Sequence, residues 1–401
     1  MKILVINAGS SSLKYQLMES DSGEVFAKGL CERIGIEGSQ IKHKGKGQEM
    51  IEATPMPSHA EAIEAVVRAL TDQEHGVIGS LDEIEAVGHR VVHGGEKFAD
   101  SALITAAVKE AIRSCFDLAP LHNPPNMTGI EACEKAMPGV PMVAVFDTAF
   151  HQTMPAEAFM YALPYDAYED YAVRRYGFHG TSHSFVSQEA VKLLGKPVEA
   201  TKIITLHLGN GSSIAAVDGG RSVDTTMGLT PLAGVMMGTR CGDIDPAIVK
   251  FLADQKDCDI AEIDRLMNKE SGVLGVSGVS SDFRDLKAAA DEGNERARLA
   301  LDMFAYQCKK QVGAYAAAMG GLDALVFTAG VGENDASVRA AICEGLEFLG
   351  IKLDEMANQT VRDRADVNIA AADAAVKVFV IPTNEELVIA HDTARLVQAA
   401  K

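Results

Sequence analysis

No stretch of the chain approaches the roughly 20 consecutive apolar residues that a membrane-crossing helix needs, so no membrane association is expected. The first apolar run, Ile3 to Ile6, stops at Asn7 and is too short for the core of a secretion signal, which points to the cytoplasm. Cysteine is sparse and unpatterned. Cys31, Cys115, Cys133, Cys241, Cys258, Cys308 and Cys343 are odd in number and include no C-x-x-C, which argues against a disulfide framework and a zinc ribbon. Positive charge is also short. The 37 Lys+Arg against 56 Asp+Glu leave a net charge of −19, and such a field repels nucleic-acid phosphates and anionic lipid. No Pro/Ser-rich linker or low-complexity tract divides the 401 residues. With 47% hydrophobic and 23% charged residues, the composition is that of an ordinary globular protein of two to three domains.

Short β-type runs alternate with longer helical ones, the pattern of an α/β protein. Strand patterns fall at Lys2–Ile6, Leu13–Met18, Ile84–His93 and Met142–Asp147, and again at Lys202–Leu208, Ile214–Asp218, Ala324–Ala329 and Val376–Ile381. Helical spacing marks His59–Leu70, Val108–Phe116, Thr128–Ala136 after the stop signal Asn123-Pro124-Pro125, Ser337–Leu349, and a terminal helix from Glu385. Asp282–Met319 holds at least two helices, because Gly293 interrupts it. The lysines of Gln40–Gly47 have no aromatic neighbours and read as protection of an exposed edge strand. Aligning Gly9-Ser10-Ser11 with Gly211-Ser212-Ser213 gives an offset of 202, close to half the chain, so a strand, a Gly/Ser turn and a returning strand open each half.

Three Gly-rich turns follow strands: N-A-G-S-S-S at 7–12, G-N-G-S-S at 209–213 and G-V-G-E-N at 330–334. Consecutive turn N–H groups with hydroxyls such as Ser10 and Ser12 form an anion cradle, and Lys14 on the returning strand reaches an anion held there. None matches G-x-x-x-x-G-K-[ST] or G-x-G-x-x-G, so neither a P-loop nor a Rossmann reading is supported. One such turn alone is a hairpin; three of them favour nucleotide phosphates. Arg90, His122, His179, His207 and Arg240 all sit beside Gly or Pro or in a Gly-turn strand, as functional loop residues do. His179 and His183 are spaced i, i+4 but lack the Glu of H-E-x-x-H, which speaks against zinc. Asp147 ends a strand, and Asp282 and Glu385 are the further acidic candidates. Glu385 with Glu386 reads equally as a metal ligand or as a first-turn acid favoured by the helix dipole.

I-N-A-G-S-S-S-L-K-Y at 6–15, H-N-P-P-N at 122–126, F-H-G-T-S-H at 178–183, H-L-G-N-G-S-S at 207–213, M-G-T-R-C-G-D-I-D-P at 237–246 and A-G-V-G-E-N at 329–334 together resemble the acetokinase (acetate kinase) family, nearly end to end. The resemblance implies a duplicated actin-like (ribonuclease H-like) ATPase fold, with residues 1–149 plus 386–401 and residues 150–385 as two domains flanking a nucleotide cleft. It further implies a cytoplasmic homodimer and a Mg²⁺-dependent phosphotransferase with a carboxyl acceptor, acting reversibly on ATP and acetate to give ADP and acetyl phosphate, with Mn²⁺ as a substitute metal. By resemblance, Asn7 and Glu385 position the metal, Arg90 holds the substrate carboxylate, Asp147 is the catalytic acid, and His179 and Arg240 stabilise the transferring phosphoryl group. Lys14, the His207-Leu208-Gly209-Asn210-Gly211 turn, Asp282-Phe283-Arg284 and Gly330-Val331-Gly332-Glu333-Asn334 bind ATP. Val92, Leu121, Phe178 and Pro231 form the acyl pocket.

The chemistry suits these residue types. Phosphoryl transfer to a carboxylate brings two anions together, so cations must cancel repulsion, and direct in-line transfer needs no phosphorylated enzyme. Acetate is already ionised at pH 7, so Asp147 reads from the residues as an orienting or metal-shell group rather than a base. A propionate or short-chain fatty acid kinase on the same scaffold is the nearest alternative. A noncatalytic actin-like nucleotide switch is the alternative of another class, and it has no use for a second anion site.

Overall fold

The computed structural model describes residues 1–361 and 366–400. The chain divides into two compact units, Met1–Gln152 with Asn384–Lys401, and Thr153–Thr383. The sequence-based division ended the second domain at residue 385; here Glu385 opens the terminal helix and belongs to unit 1.

Unit 1 is built on an eight-stranded sheet: β1 (Lys2–Ala8), β2 (Ser12–Glu19), β3 (Val25–Glu32), β4 (Gln40–Gly45), β5 (Gln48–Ala53), β6 (Ala86–Val91), β7 (Ala102–Leu103) and β8 (Met142–Phe146). The spatial order is β5-β4-β3-β2-β1-β6-β8-β7. β1 runs antiparallel to β2 and parallel to β6, and β6 runs parallel to β8. One face of the sheet is covered by the helix His59–Thr71, started by a reciprocal Ser58–Glu61 capping box, and its Ile63, Val66 and Leu70 pack with Leu13, Leu17 and Ile41. The other face, over β1, β6 and β8, receives the terminal helix Glu385–Ala399 through Ile389, Ala390 and Val397. That helix lies close because β6 carries Gly88, where a Cβ would stand 2.5 Å from Thr393 Oγ1 and 2.6 Å from Ile389 Cγ2.

Unit 2 has a six-stranded sheet of β9 (Lys202–Leu208), β10 (Ser212–Asp218), β11 (Arg221–Thr225), β12 (Ala324–Thr328), β13 (Val367–Asn368) and β14 (Lys377–Val380), ordered β11-β10-β9-β12-β14-β13. Its core gathers Leu206, Ile214, Phe304, Phe327 and Val378, with the 25-residue helix Glu295–Met319 as the main apolar layer. Each fully buried side chain of this size contributes about 1.5–3 kcal/mol. Both units therefore contain one five-strand pattern: an antiparallel meander of three strands whose first member continues sideways into two parallel strands. This is the arrangement of an α/β actin-like fold.

Several local expectations are corrected. β4 is not the edge strand, because β5 pairs outside it from Gln40↔Ala53 to Gly45↔Gln48. The helix expected from Thr128 begins at Asn123, with the two prolines in its first turn, where a missing N–H and a fixed φ are no handicap. Gly330–Asn334 is not a turn but most of a short helix, Ala329–Asn334. The helix expected over 337–349 is Ala336–Cys343 followed by a separate 3₁₀ turn at Glu347–Leu349. The duplication offset is 200 for the first strand, not 202: β1 and β9 begin at Lys2 and Lys202, and their parallel pairing ends at Asn7 and His207. The returning strand is shifted, pairing Ala8 with Leu13 but Leu208 with Ser212, so the second turn is shorter and letter matching misplaced it.

Candidate active site

In unit 1 the expected residues meet at the C-terminal ends of parallel strands, where α/β sheets place their chemistry. Asn7 on β1 pairs in register with Arg90 on β6. Asp147 follows β8, is 1% exposed, and takes the backbone bond from its N–H to Val91 O at 3.0 Å. The Arg90 guanidinium donates through Nε to Asp147 Oδ1 at 3.0 Å, through Nη2 to Asp147 Oδ2, and through Nη1 to Asn7 Oδ1 at 3.3 Å. Glu385 Oε2 lies 3.8 Å from Arg90 Nε. Burial pushes the Glu385 carboxyl up to about 7; Arg90 and Lys14 oppose this, while the Asp147 and Glu386 charges add to it. Arg90 is held above its usual value despite its own burial by Asp147 and then Glu385.

The H-N-P-P-N segment aligns these strand ends. Asn126 accepts from Val92 N at 3.0 Å and donates to Ala8 O at 2.6 Å, tying the end of β1 to the residue after β6. Asn123 accepts from His93 N at 3.1 Å and donates to His93 O at 2.9 Å. Both asparagines are buried, and the H-N-P-P-N string by itself does not show that either amide clamps backbone. His122 occupies the N-cap position of that helix. Val92 is buried, whereas Leu121 is 60% exposed. Lys14 faces Asn7 across the β1–β2 pair and is exposed, as is Ser10; Ser12 opens β2, and its carbonyl closes the turn by accepting from Gly9 N at 2.8 Å.

A metal at Asn7 and Glu385 would find a carboxamide and a carboxylate, oxygen donors that suit Mg²⁺ or Mn²⁺. The Asp147 and Glu386 charges both act on the Glu385 carboxyl, with Arg90 and Lys14 as the opposing charges, so a hard cation fits beside it. Among the described residues no group of three or more His, Cys, Asp or Glu could hold a metal ion by itself. Mg²⁺ bound through one or two protein oxygens relies on substrate oxygens and water for the rest.

In unit 2, His179, Arg240 and Gly211 converge. A Cβ placed on Gly211 would sit 3.6 Å from both terminal nitrogens of Arg240 and 3.7 Å from His179 Cε1. His179 occupies left-handed backbone at φ 54° as it caps the helix Gly180–Leu194, a strained position for a non-glycine residue. Its ring stacks on His207 at 4.0 Å between centroids. Its Nδ1 lies 2.9 Å from Ser213 Oγ, which is also 2.7 Å from His183 Nε2. Arg240 is held by Pro231 O at 2.9 Å, and burial lowers its pKa. Pro231 therefore contributes a backbone carbonyl, and Phe178 is buried at 2% exposure.

A cavity of about 1070 Å³, large enough for a nucleotide, opens beside these residues within unit 2. Gly209, Asn210, Asp282, Phe283, Arg284, Gly330, Val331, Glu333 and Asn334 line it. Asp282 caps the helix Phe283–Asp291 and is paired with Arg284 at 2.6 Å, which with a backbone bond lowers its pKa to about 2. Phe283 presents part of its surface to the cavity while its ring packs edge-on against Phe304. Leu208 and Gly332 are buried and are not in the lining. Asn210 lies against Gly238, whose N–H donates to Asn210 O at 2.9 Å; a Cβ on Gly238 would fall 1.8 Å from Asn210 Oδ1.

The main residue missed here is Arg339, 1% exposed. It donates to Gly332 O and Glu333 O, each at 2.9 Å, and to Asn358 Oδ1 and O, each at 2.7 Å. It holds the short helix Ala329–Asn334 from behind, and the left-handed Ala329 (φ 64°) at its start is fixed by Glu333 Oε1 accepting from Ala329 N at 2.8 Å. An arginine inside a surface-type helical pattern gives no sequence signal of burial.

Residues 2–391 match the model of the acetokinase family. The chain is 62% identical to an acetate kinase from Methanosarcina barkeri over 399 residues, covering 99% of this chain and 97% of that one. The fold matches the crystal structure of an acetate kinase from Porphyromonas gingivalis with a TM-score of 0.95 at 50% identity, covering 99% of each chain. It also matches a propionate kinase from Francisella tularensis with a TM-score of 0.92 at 41% identity, covering 98% of this chain and 99% of that one. From strand frame to turn motifs and over almost every residue, the chain belongs to the acetokinase family.

Proposed function

We propose that the protein is an acetate kinase that transfers the γ-phosphoryl group of ATP directly and reversibly to acetate, giving acetyl phosphate and ADP. The observation that carries this reading is the end-to-end 62% identity to a relative of that name. The residues have the chemistry for it. Arg90 has five N–H donors, of which three are engaged by Asp147 and Asn7, so two remain for a carboxylate. Both Asp147 oxygens are committed to Arg90, which suits orientation of the guanidinium rather than proton transfer, and an ionised acetate needs no base.

In unit 2 the cavity takes the nucleotide, with the N–H groups of its Gly-rich segments toward phosphate. His179 and Arg240 meet charge on the equatorial phosphoryl oxygens, where it builds in a loose in-line transition state. Asn7 and Glu385 would hold Mg²⁺, or Mn²⁺ in its place, which would supply charge withdrawal from the phosphoryl oxygens. Lys14 is the unit 1 cation assigned to phosphate, and the acyl-contact residues are Val92 and Leu121 in unit 1 and Phe178 and Pro231 in unit 2.

Acetate is favoured over propionate because Val92 is 5% exposed and fills space that a longer acyl chain would require. Propionate kinase is the second reading, supported by the Francisella tularensis structure. Hydroxylamine trapping of acyl phosphate from ATP, Mg²⁺ and acetate, propionate or butyrate decides between them. The highest kcat/KM is expected with acetate; a higher value with propionate replaces the reading with the second one, and no acyl phosphate from any carboxylate removes both. The protein works as a homodimer in the cytoplasm. Exposed Ile248 and Phe251, one turn apart on the helix Ala247–Lys256, offer apolar surface of the kind an interface covers. Light scattering at the mass of one 42.6 kDa chain would remove the dimer.

A further inference from the structure

The lysines of β4 were expected to shield a sheet edge, but β5 occupies that edge, so they need another account. Strand alternation sends Tyr15, Cys31, Ile41 and His43 toward the core and Lys14, Lys28, Lys42 and Lys44 to the opposite face. The registers group the four closely. Lys28 stands directly across from Lys44, while in the next row Leu30 pairs with Lys14 on one side and Lys42 on the other. Like charges directly opposite in an antiparallel pair are destabilising.

Neutralisation within the protein is incomplete. Lys42 is paired with Glu32 at 2.7 Å and Lys44 stands opposite Glu49 across the β4–β5 pair, but among the described residues Lys14, Lys28 and Lys44 have no ion-pair partner within 4 Å. A concavity of about 280 Å³ lies among the four lysines, with Glu49 and Glu386 on its border. In a chain of net charge −19, this is a local concentration of positive charge maintained against a repulsive contact.

We propose that this face of unit 1 binds a small polyanion, a molecule with at least two phosphate or carboxylate groups within the reach of neighbouring strands. Strands lie about 4.8 Å apart, so adjacent anionic groups of one molecule can address Lys28 and Lys44 together. The concavity is of small-molecule size, which favours such a ligand over an extended acidic chain. No residue of the unit 2 nucleotide cavity contributes to it, and although Lys14 also supports the nucleotide phosphates in the proposed function, Lys28, Lys42 and Lys44 take no part in that site.

The test is calorimetric titration of inorganic tripolyphosphate into the full chain saturated with ADP in magnesium-free buffer, which keeps the nucleotide cavity occupied. Wild type is expected to bind, with affinity falling steeply as salt rises. Lys28→Gln/Lys44→Gln is expected to bind at least tenfold more weakly, and Lys44→Gln alone to lie between. Thermal melts supply the folding control. Without polyanion the double variant should melt no lower than wild type, since its repulsive pair is gone; with polyanion only wild type should gain stability. Turnover of ATP and acetate without polyanion should be unchanged. Equal binding by wild type and a folded double variant, or no binding to wild type once ADP is saturating, overturns the proposal.

Discussion

The two units carry the same five-strand frame and end it differently. At the position of Asn7 in unit 1 stands His207 in unit 2, and where Asn7 pairs with Arg90, His207 pairs with Thr328. Unit 1 thus ends its parallel strands in charged side chains, Arg90 and Asp147 locked together and Glu385 beside them. Unit 2 ends its own in backbone: the Gly209–Gly211 turn and the short helix Ala329–Asn334, which border a cavity of about 1070 Å³. On the proposed function, one frame would serve a small carboxylate through a guanidinium fork and the other a larger phosphate-bearing ligand through N–H groups. The difference teaches that the duplicated sheet supplies positions, while the residue at each strand end determines which chemistry occupies them.

The comparison breaks most strongly if the charged residues of either unit are neutralised. Arg240→Ala should lower kcat by about 10²–10³-fold with little change in acetate KM, while Arg90→Ala should act mainly on acetate KM. Steady-state kinetics over acetate and ATP separate these, and a rise in ATP KM alone for both would undo the assignments. Asp147→Asn should also cut kcat severely, without recovery at high pH. Recovery there would return Asp147 to a proton-transfer role.

Next in size is the backbone support of unit 2. Arg339→Met should destabilise the chain by about 3 kcal/mol, because it leaves buried carbonyls at Gly332, Glu333 and Asn358 without their donor. ADP affinity measured by calorimetry should fall, while unit 1 variants of equal stability loss leave it unchanged.

Unit 1 carries a pH dependence of its own. Burial lowers the pKa of His89 to about 3 and of His93 to about 4, so both stay neutral in the fold but take up protons when unfolded. The unfolded state therefore binds more protons below about pH 6.5, and stability falls as pH drops through that value toward the folded pKa. For His89 the loss at pH 5 is about 2 kcal/mol. Urea denaturation between pH 7.5 and 5 checks it; His89→Gln should flatten the slope, and an unchanged slope would assign it elsewhere.

The smallest effect is expected at the acyl pocket. Val92→Ala should raise the propionate-to-acetate ratio of kcat/KM by about tenfold, the worth of one methylene or so. No change would remove Val92 from substrate contact.

Much of the frame was legible because its signals are local. Alternation marked the strands around each Gly/Ser turn, and the motif strings are contiguous, so they could be matched without a fold. Register was not legible: letter matching aligned Gly9 with Gly211, whereas the pairing of Ala8 with Leu13 and of Leu208 with Ser212 shows turns of unequal length. The Asn123 and Asn126 clamps and the buried Arg339 were missed because each acts on backbone that other elements bring to it.

The sequence alone determined the α/β class, the opening of each half and the family, since these rest on residue order over short windows. Tertiary structure decided the rest. It joined Arg90 to Asp147 across 57 positions, placed Glu385 beside them by docking the last helix on Gly88, and put four lysines on one open face. The physical reason is that strand register and burial are settled by packing between distant segments, and a charge or a donor acquires its role only when that packing supplies its partner.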